Sequence, residues 1–342
     1  MITNNQELSE GMFKALTHDE YSKGEADFSA TELITPSRII ALARRNKERL
    51  TEDASDLVYR ILGRSVHSLI DNARKSIAGD NHELRTEYIM KVLGDYSAGE
   101  IQTSALPDAI NEAVKTADND AVFKATGLEF ESRKFVVIPI DGIKIILSGQ
   151  LDYFDTKSGE IRDYKVTSRW VSADGAKDEW EKQMNIYAYI LRMHGRTPQR
   201  AVIEAIYRDW SKTQAARDKS YPQKQIEQFE ITLWSAEVAE AYVIGRIRSH
   251  LRAIAEQNEP KIEVCSKDER WERNEQFAVT KPGRTRAIRV LDTNEDALVW
   301  IGKNKRVDEI MSIEHRPGQS VRCESYCPVK EFCSFHKYFT ER

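Results

Sequence analysis

Asp152, Asp163 and Lys165 fall within SGQLDYFDTKSGEIRDYKV, residues 148–166, and their types suit metal-assisted phosphodiester hydrolysis. Two carboxylates, a main-chain carbonyl such as that of Tyr164, and waters can hold a hard divalent ion. Such an ion polarises a scissile phosphate and lowers the pKa of a bound water. A lysine beside it orients the water or steadies the charge that develops on the phosphate. An Asp and a Lys two apart on an exposed strand are ordinarily a solvated pair, so the spacing acquires meaning only from its surroundings.

The elements that would position these groups read as an antiparallel hairpin. Two runs of near-alternating apolar residues flank a polar turn at Asp155 to Glu160, and the side-chain period of two puts Asp163 and Lys165 on one face, with Tyr164 on the other. Strand pairing then brings Asp152 beside Asp163. Upstream, Asp141-Gly142 between apolar runs at 134–140 and from 143 predicts a tight turn and a three-stranded meander. A helix is expected from Glu179 to Met193, and Gln183 and Tyr187, four apart, share one of its faces. A strand at 200–210 completes the order α-β-β-β-α-β. Residues 55–78 have the apolar spacing of an amphipathic helix carrying His67; taken alone, such a histidine packs or faces solvent.

In combination these residues resemble a known family. G-x-L-D, then D-Y-K about a dozen residues later, then Gln183-Met-Asn-Ile-Tyr187, is similar to the RecB-like branch of the PD-(D/E)XK nuclease superfamily. With His67 upstream and cysteines near the C-terminus, the chain looks most like that branch's iron-sulfur exonucleases, among them CRISPR-associated and bacteriophage-encoded members. The resemblance implies an α/β core with a mixed sheet flanked by helices. It implies Mg2+ or Mn2+ held by His67, Asp152, Asp163 and the Tyr164 carbonyl, with the imidazole favouring manganese. It also implies that Lys165 activates water and that Gln183 and Tyr187 lie beside the metal and contact the DNA strand. Glu131 is a further candidate, with Glu129 as its alternative two residues away.

Cys323-x3-Cys327-x5-Cys333 is the densest ligand pattern in the chain, and thiols so crowded suit a metal or cluster in a reducing compartment better than a disulfide framework. With Cys265 as fourth thiolate the pattern resembles the family's iron-sulfur cluster, a 4Fe-4S centre. A zinc site of Cys323, Cys327, Cys333 and His336 is the competing assignment. Many CRISPR-associated relatives place their first cysteine before the nuclease core; this chain has none before Cys265, so its cluster is expected to close the C-terminal region on itself.

The 342 residues are 40% hydrophobic, with 51 basic against 55 acidic side chains, which allows a full core and excludes a globally basic DNA wrapper. No apolar run approaches a membrane span, and MITNNQELSE lacks the pattern of a leader. A cytoplasmic protein is expected, in the host cytoplasm if phage-encoded. The organisation expected is a loose arm at 1–30, a nuclease core at 31–256 and a C-terminal subdomain at 257–342 with the cysteine-ligated cluster. Residues 80–130 read as a connecting insertion with a helix at 106–118, and the basic face of Arg44, Arg45, Lys47 and Arg49 could touch phosphates. Arg208, Trp210, Lys212 and Arg217 mix charge with an aromatic ring, a composition that grips single-stranded DNA.

The expected function is a DNA exonuclease favouring single-stranded ends, with recombination or CRISPR-related protein partners and no membrane. A DNA-binding recombination accessory protein with little cleavage is the alternative. A structural partner in a nuclease-helicase complex is a third reading; no Gly-x-x-x-x-Gly-Lys-Ser/Thr phosphate loop occurs, so no motor is encoded in these residues.

Overall fold

Alternating apolar residues build the sheet that carries the site. In a computed structural model that describes residues 2–18, 23–75, 81–305 and 310–340, the strands Leu128–Ile140, Ile143–Asp155 and Glu160–Thr167 form the expected antiparallel meander. Asp141 and Gly142 turn the first hairpin, both with positive φ, which a two-residue turn between right-twisted strands requires. The second turn is closed by the Asp155 carboxylate, which accepts from Lys157 N at 2.8 Å and from Ser158 Oγ at 2.7 Å. Arg200–Tyr207 then pairs parallel to the Asp163 strand, and Ile226–Ile231 adds an antiparallel edge.

Ile143–Asp155 is the central strand. Leu128–Ile140 runs along the whole of one edge, while the other edge is shared. Phe28–Ser29 pairs parallel to it at Leu147 and Ser148, and the Asp163 strand pairs only at Tyr153 to Asp155. Between these two partners the edge is open, and the sheet forks.

The helix Asp178–Met193 fills the fork from one side. Gly149 permits this approach, since a Cβ there would lie 2.7 Å from Ile190 Cδ1 and 3.1 Å from the Tyr187 ring. Leu147, Leu151, Phe154, Ile161, Met184, Ile190, Val202 and Ile203 are at most 1% exposed, and each such side chain contributes roughly 1.5–3 kcal/mol by burial. Three acidic residues in that helix's first turn, Asp178, Glu179 and Glu181, complement its dipole.

The chain divides into two compact units, one of Ile2–Ile34 and Thr51–Arg248, the other of Thr35–Leu50 and Ser249–Arg342. The division differs from a boundary at 256/257 because the helix Ser37–Arg45 buries Ile39, Ala41 and Leu42 in a cluster with Ile262, Val329 and Cys333. Where a connecting insertion with a helix at 106–118 is expected, two packed helices stand, His82–Ser97 and Leu106–Thr126, tied by Arg85 Nε to Asp118 at 2.6 Å. Within 1–30, the helix Glu10–Thr17 buries Leu16 against Ala54 and Leu57. In the second unit Gln276–Thr280 and Arg289–Leu291 pair antiparallel, followed by the helix Asn294–Asn304. Among the described residues no helix is long and apolar enough to cross a membrane.

Candidate active site

Asp152 lies where the central strand loses its partner on both edges. On one side the ladder with Leu128–Ile140 passes from Phe130↔Tyr153 to Ser132↔Leu151 and skips the rung between Glu131 and Asp152. On the other side the ladder with the Asp163 strand ends at Tyr153↔Arg162. The Asp152 carboxylate takes up part of the gap: its Oδ2 accepts from Tyr164 N at 3.0 Å. Its Oδ1 faces His67.

Glu131 reaches the same point by a backbone distortion. Its φ is +41°, a region that non-glycine residues enter at a cost and that recurs at functional sites. Gln150 Nε2 donates to its Oε2 at 2.6 Å, and Arg133 in turn donates to Gln150 Oε1 at 2.5 Å. Glu129 is engaged elsewhere, with Lys134 and Arg196 each at 2.6 Å, so of the two glutamates it is Glu131 that lies beside His67 and Asp152. The helix Val58–Lys75 presents His67, whose Nδ1 is 3.4 Å from Asp152 Oδ1 and 3.5 Å from Glu131 Oε1. One ligand atom each from His67, Glu131 and Asp152 lies within 4.8 Å of the other two. Two hard carboxylates and one imidazole suit Mg2+ or, better, Mn2+.

Asp163 and Lys165 stand on the neighbouring strand as an ion pair of 2.7 Å. Asp163 is 2% exposed, and the ammonium is the sole partner of its buried Oδ2 among the described residues. The electrostatics of the cluster are those of crowded acids around two cations. Burial, reinforced by Asp163, pushes Asp152 up to about 7 despite His67 and Lys165. The hydrogen bond with Glu131 raises His67 to about 9 against the effect of burial, with Asp152 adding to the rise. Burial would raise Glu131, but the hydrogen bonds from His67 and Gln150 outweigh it and hold the carboxyl below its usual value. Burial would lower Lys165, yet Asp163 and Asp152 keep its ammonium charged beyond the ordinary range.

Gln183 and Tyr187 are 6% and 5% exposed and bonded to each other, Nε2 to Oη at 2.8 Å. The Tyr187 ring lies against Gly149, so the pair packs the floor of the fork rather than standing free at the surface. Tyr164 meets the His67 ring edge-on, with centroids 6.3 Å apart, and it is the Tyr164 main-chain N–H that touches Asp152.

In the second unit Cys265, Cys323, Cys327, Cys333 and His336 line one cavity. Burial, then the Glu269 carboxylate and neighbouring thiols, raise Cys265 to about 12, and burial with neighbouring thiols raises Cys323 to about 11. Arg38, 3% exposed, donates from Nε to Cys333 Sγ at 3.3 Å, from NH2 to Ser334 Oγ at 3.1 Å, and also bonds Ile262 O and Glu259. The cysteine pocket is therefore walled in part by the helix Ser37–Arg45, not by the C-terminal region alone. Sequence reasoning overlooked Arg38; the signal was an arginine inside the apolar run SRIIALA, which no surface helix needs.

The forked mixed sheet flanked by helices, with an acidic metal-ligand trio and an Asp-x-Lys strand at the fork, defines a class. A family model described as the PD-(D/E)XK nuclease superfamily matches residues 41–334. The chain belongs to that superfamily, whose members are typically metal-dependent nucleases. A solved structure described as "Crystal structure of SSO0001" is similar at 14% identity and a TM-score of 0.40, covering 71% of this chain and 84% of that chain. No curated protein matches.

Proposed function

We propose that the chain is a Mg2+- or Mn2+-dependent deoxyribonuclease of the RecB-like branch, acting as an exonuclease on single-stranded DNA ends. The observation that carries the proposal is the convergence of His67, Glu131 and Asp152 beside the Asp163–Lys165 pair. His67 Nδ1, Glu131 Oε1 and Asp152 Oδ1 would hold the ion, with Asp163 and the Tyr164 carbonyl completing the set named from the resemblance. The ion would supply Lewis acidity to the scissile phosphate and a more acidic water.

The chain's own groups do the positioning. Asp163 keeps Lys165 charged and pointed into the fork, so Lys165 donates hydrogen bonds to the attacking water or to a phosphate oxygen rather than removing a proton. Tyr164 N fixes one Asp152 oxygen and leaves the other for the ion. Gln183 and Tyr187 hold the fork open, which is how they act on the strand in this reading. A cysteine-ligated iron-sulfur cluster in the second unit accompanies the proposal, supported by four thiols lining one cavity. Such thiols belong in a reducing compartment, the cytoplasm of the cell or host.

The test is digestion of end-labelled DNA, single- and double-stranded, with Mg2+, Mn2+ or EDTA. Divalent-dependent shortening from an end, faster on the single strand, is expected. Cleavage unaffected by EDTA, or none with either metal, would refute the proposal.

A further inference from the structure

Two exposed aromatic rings, each stacked on an arginine, stand near the C-terminal ends of the parallel strands that carry Lys165 and Tyr207. Trp170 is 62% exposed, and the Arg169 guanidinium lies 4.0 Å above its ring and 4.8 Å from that of buried Tyr221. Tyr59 is 65% exposed, with Arg208 at 4.5 Å. Singly exposed rings are ordinary on a protein surface, but here each carries a guanidinium against its face. The loops beneath them are fastened together. Asp209 accepts from Ser168 Oγ and from Arg169 N, both at 2.7 Å, and Arg208 N donates to Thr167 O at 2.9 Å.

We infer that Trp170 and Tyr59 form a shelf on which the bases of a single nucleic-acid strand stack on the way to the metal trio. The inference rests on the nuclease reading above. Every base has a π-face, but in a duplex those faces are covered by neighbouring pairs, so exposed rings select an unpaired strand. Arg169 and Arg208 supply cation–π support and positive charge for the phosphates. The spacing suits a strand in transit. Tyr59 and His67 lie on one helix, eight residues apart, hence roughly 12 Å along its axis, a span of about two nucleotides. Trp170 follows Lys165 by five residues on the adjoining segment, and open α/β sheets bind ligands at the carboxyl ends of their strands.

The full chain is titrated in EDTA, where no cleavage occurs, against a fluorescein-labelled 15-residue oligo-dT, an abasic strand of equal length and a blunt duplex, followed by anisotropy. The double variant Trp170→Ala/Tyr59→Ala is expected to bind oligo-dT roughly tenfold to a hundredfold more weakly, with abasic and duplex binding within threefold of the parent. Trp170→Phe/Tyr59→Phe, which keeps both rings, should stay within threefold on all three, and circular dichroism should show every variant folded. Unchanged oligo-dT binding in the alanine variant overturns the shelf, as does an equal loss on the abasic strand. If the parent chain digests DNA with Mn2+ but the alanine variant binds normally, the shelf alone fails. If the parent neither binds nor digests DNA, the nuclease reading fails with it.

Discussion

Removing the Lys165 ammonium should separate what this residue does for the fold from what it does for the reaction. Lys165→Met keeps the length of the side chain and deletes the charge. At the observed 2.7 Å, with an effective dielectric of about 20, the attraction to Asp163 is about 6 kcal/mol. Lost hydration offsets much of this. Breaking one partner of a fully buried pair costs about 3–5 kcal/mol, and because the Lys165 side chain is 26% exposed, about 2–3 kcal/mol is expected here. Asp163→Asn in the same background should restore most of that, since it removes the stranded carboxylate, for a coupling of about 2 kcal/mol. Urea unfolding in EDTA at pH 7, read as a shift of midpoint at constant slope, measures the cycle. DNA digestion in Mn2+ should stay abolished in Lys165→Met and in the double variant, because stability regained by Asn does not return an ammonium to the fork. Single variants within 0.5 kcal/mol of the parent, in the sense of additive and independent sites, would refute the pairing argument. Cleavage recovered in the double variant would refute the catalytic one.

Further outcomes follow from the same site. Metal binding must displace the His67 proton, so Mn2+ affinity should rise as pH rises toward 9, more steeply below about 7 where Asp152 must also ionise; calorimetry at several pH values checks this, and a flat profile would contradict it. Because His67 is raised from 6.5 to about 9, its contribution to apo stability is fully present below about 6.5 and disappears as pH passes through 9; in His67→Ala that pH dependence should be gone. His67→Ala should also lower cleavage in Mn2+ more than in Mg2+, since imidazole is the softer ligand. Gly149→Ala should destabilise by about 1–3 kcal/mol, since its Cβ meets Ile190 at 2.7 Å. Anaerobically purified protein should be brown and lose its colour in Cys265→Ala but not in His336→Ala; colourless protein carrying zinc that depends on His336 would establish the zinc assignment.

How much of this was legible depended on range. The meander, the Gln183 helix and the shared face of Asp163 and Lys165 follow from periods and turns a dozen residues long, and the structure has them. Glu131 is only a minor candidate in the sequence because its place beside Asp152 depends on a backbone distortion at one missing rung, which no side-chain pattern records. Phe28–Ser29 was hidden in an apparent arm because two residues have no period. The helix expected at 106–118 runs on to Thr126, whereas His82–Ser97 went unread although Leu84, Tyr88, Ile89, Val92, Leu93 and Tyr96 recur at helical spacing, because the charged residues between them blur the stripe. Arg38 was missed for the opposite reason: its partners lie more than 200 residues away, and sequence spacing carries no trace of them.

The central claim is that His67, Glu131 and Asp152 hold the ion that DNA cleavage requires. Anomalous diffraction at the manganese edge, on crystals of the full chain soaked in Mn2+, tests it most directly. One peak is predicted within coordination distance of His67 Nδ1, Glu131 Oε1 and Asp152 Oδ1, at roughly 2.1–2.3 Å from each, and absent from Asp152→Asn crystals treated alike. A peak bound elsewhere, or none at saturating Mn2+ in protein that cleaves DNA, would contradict it.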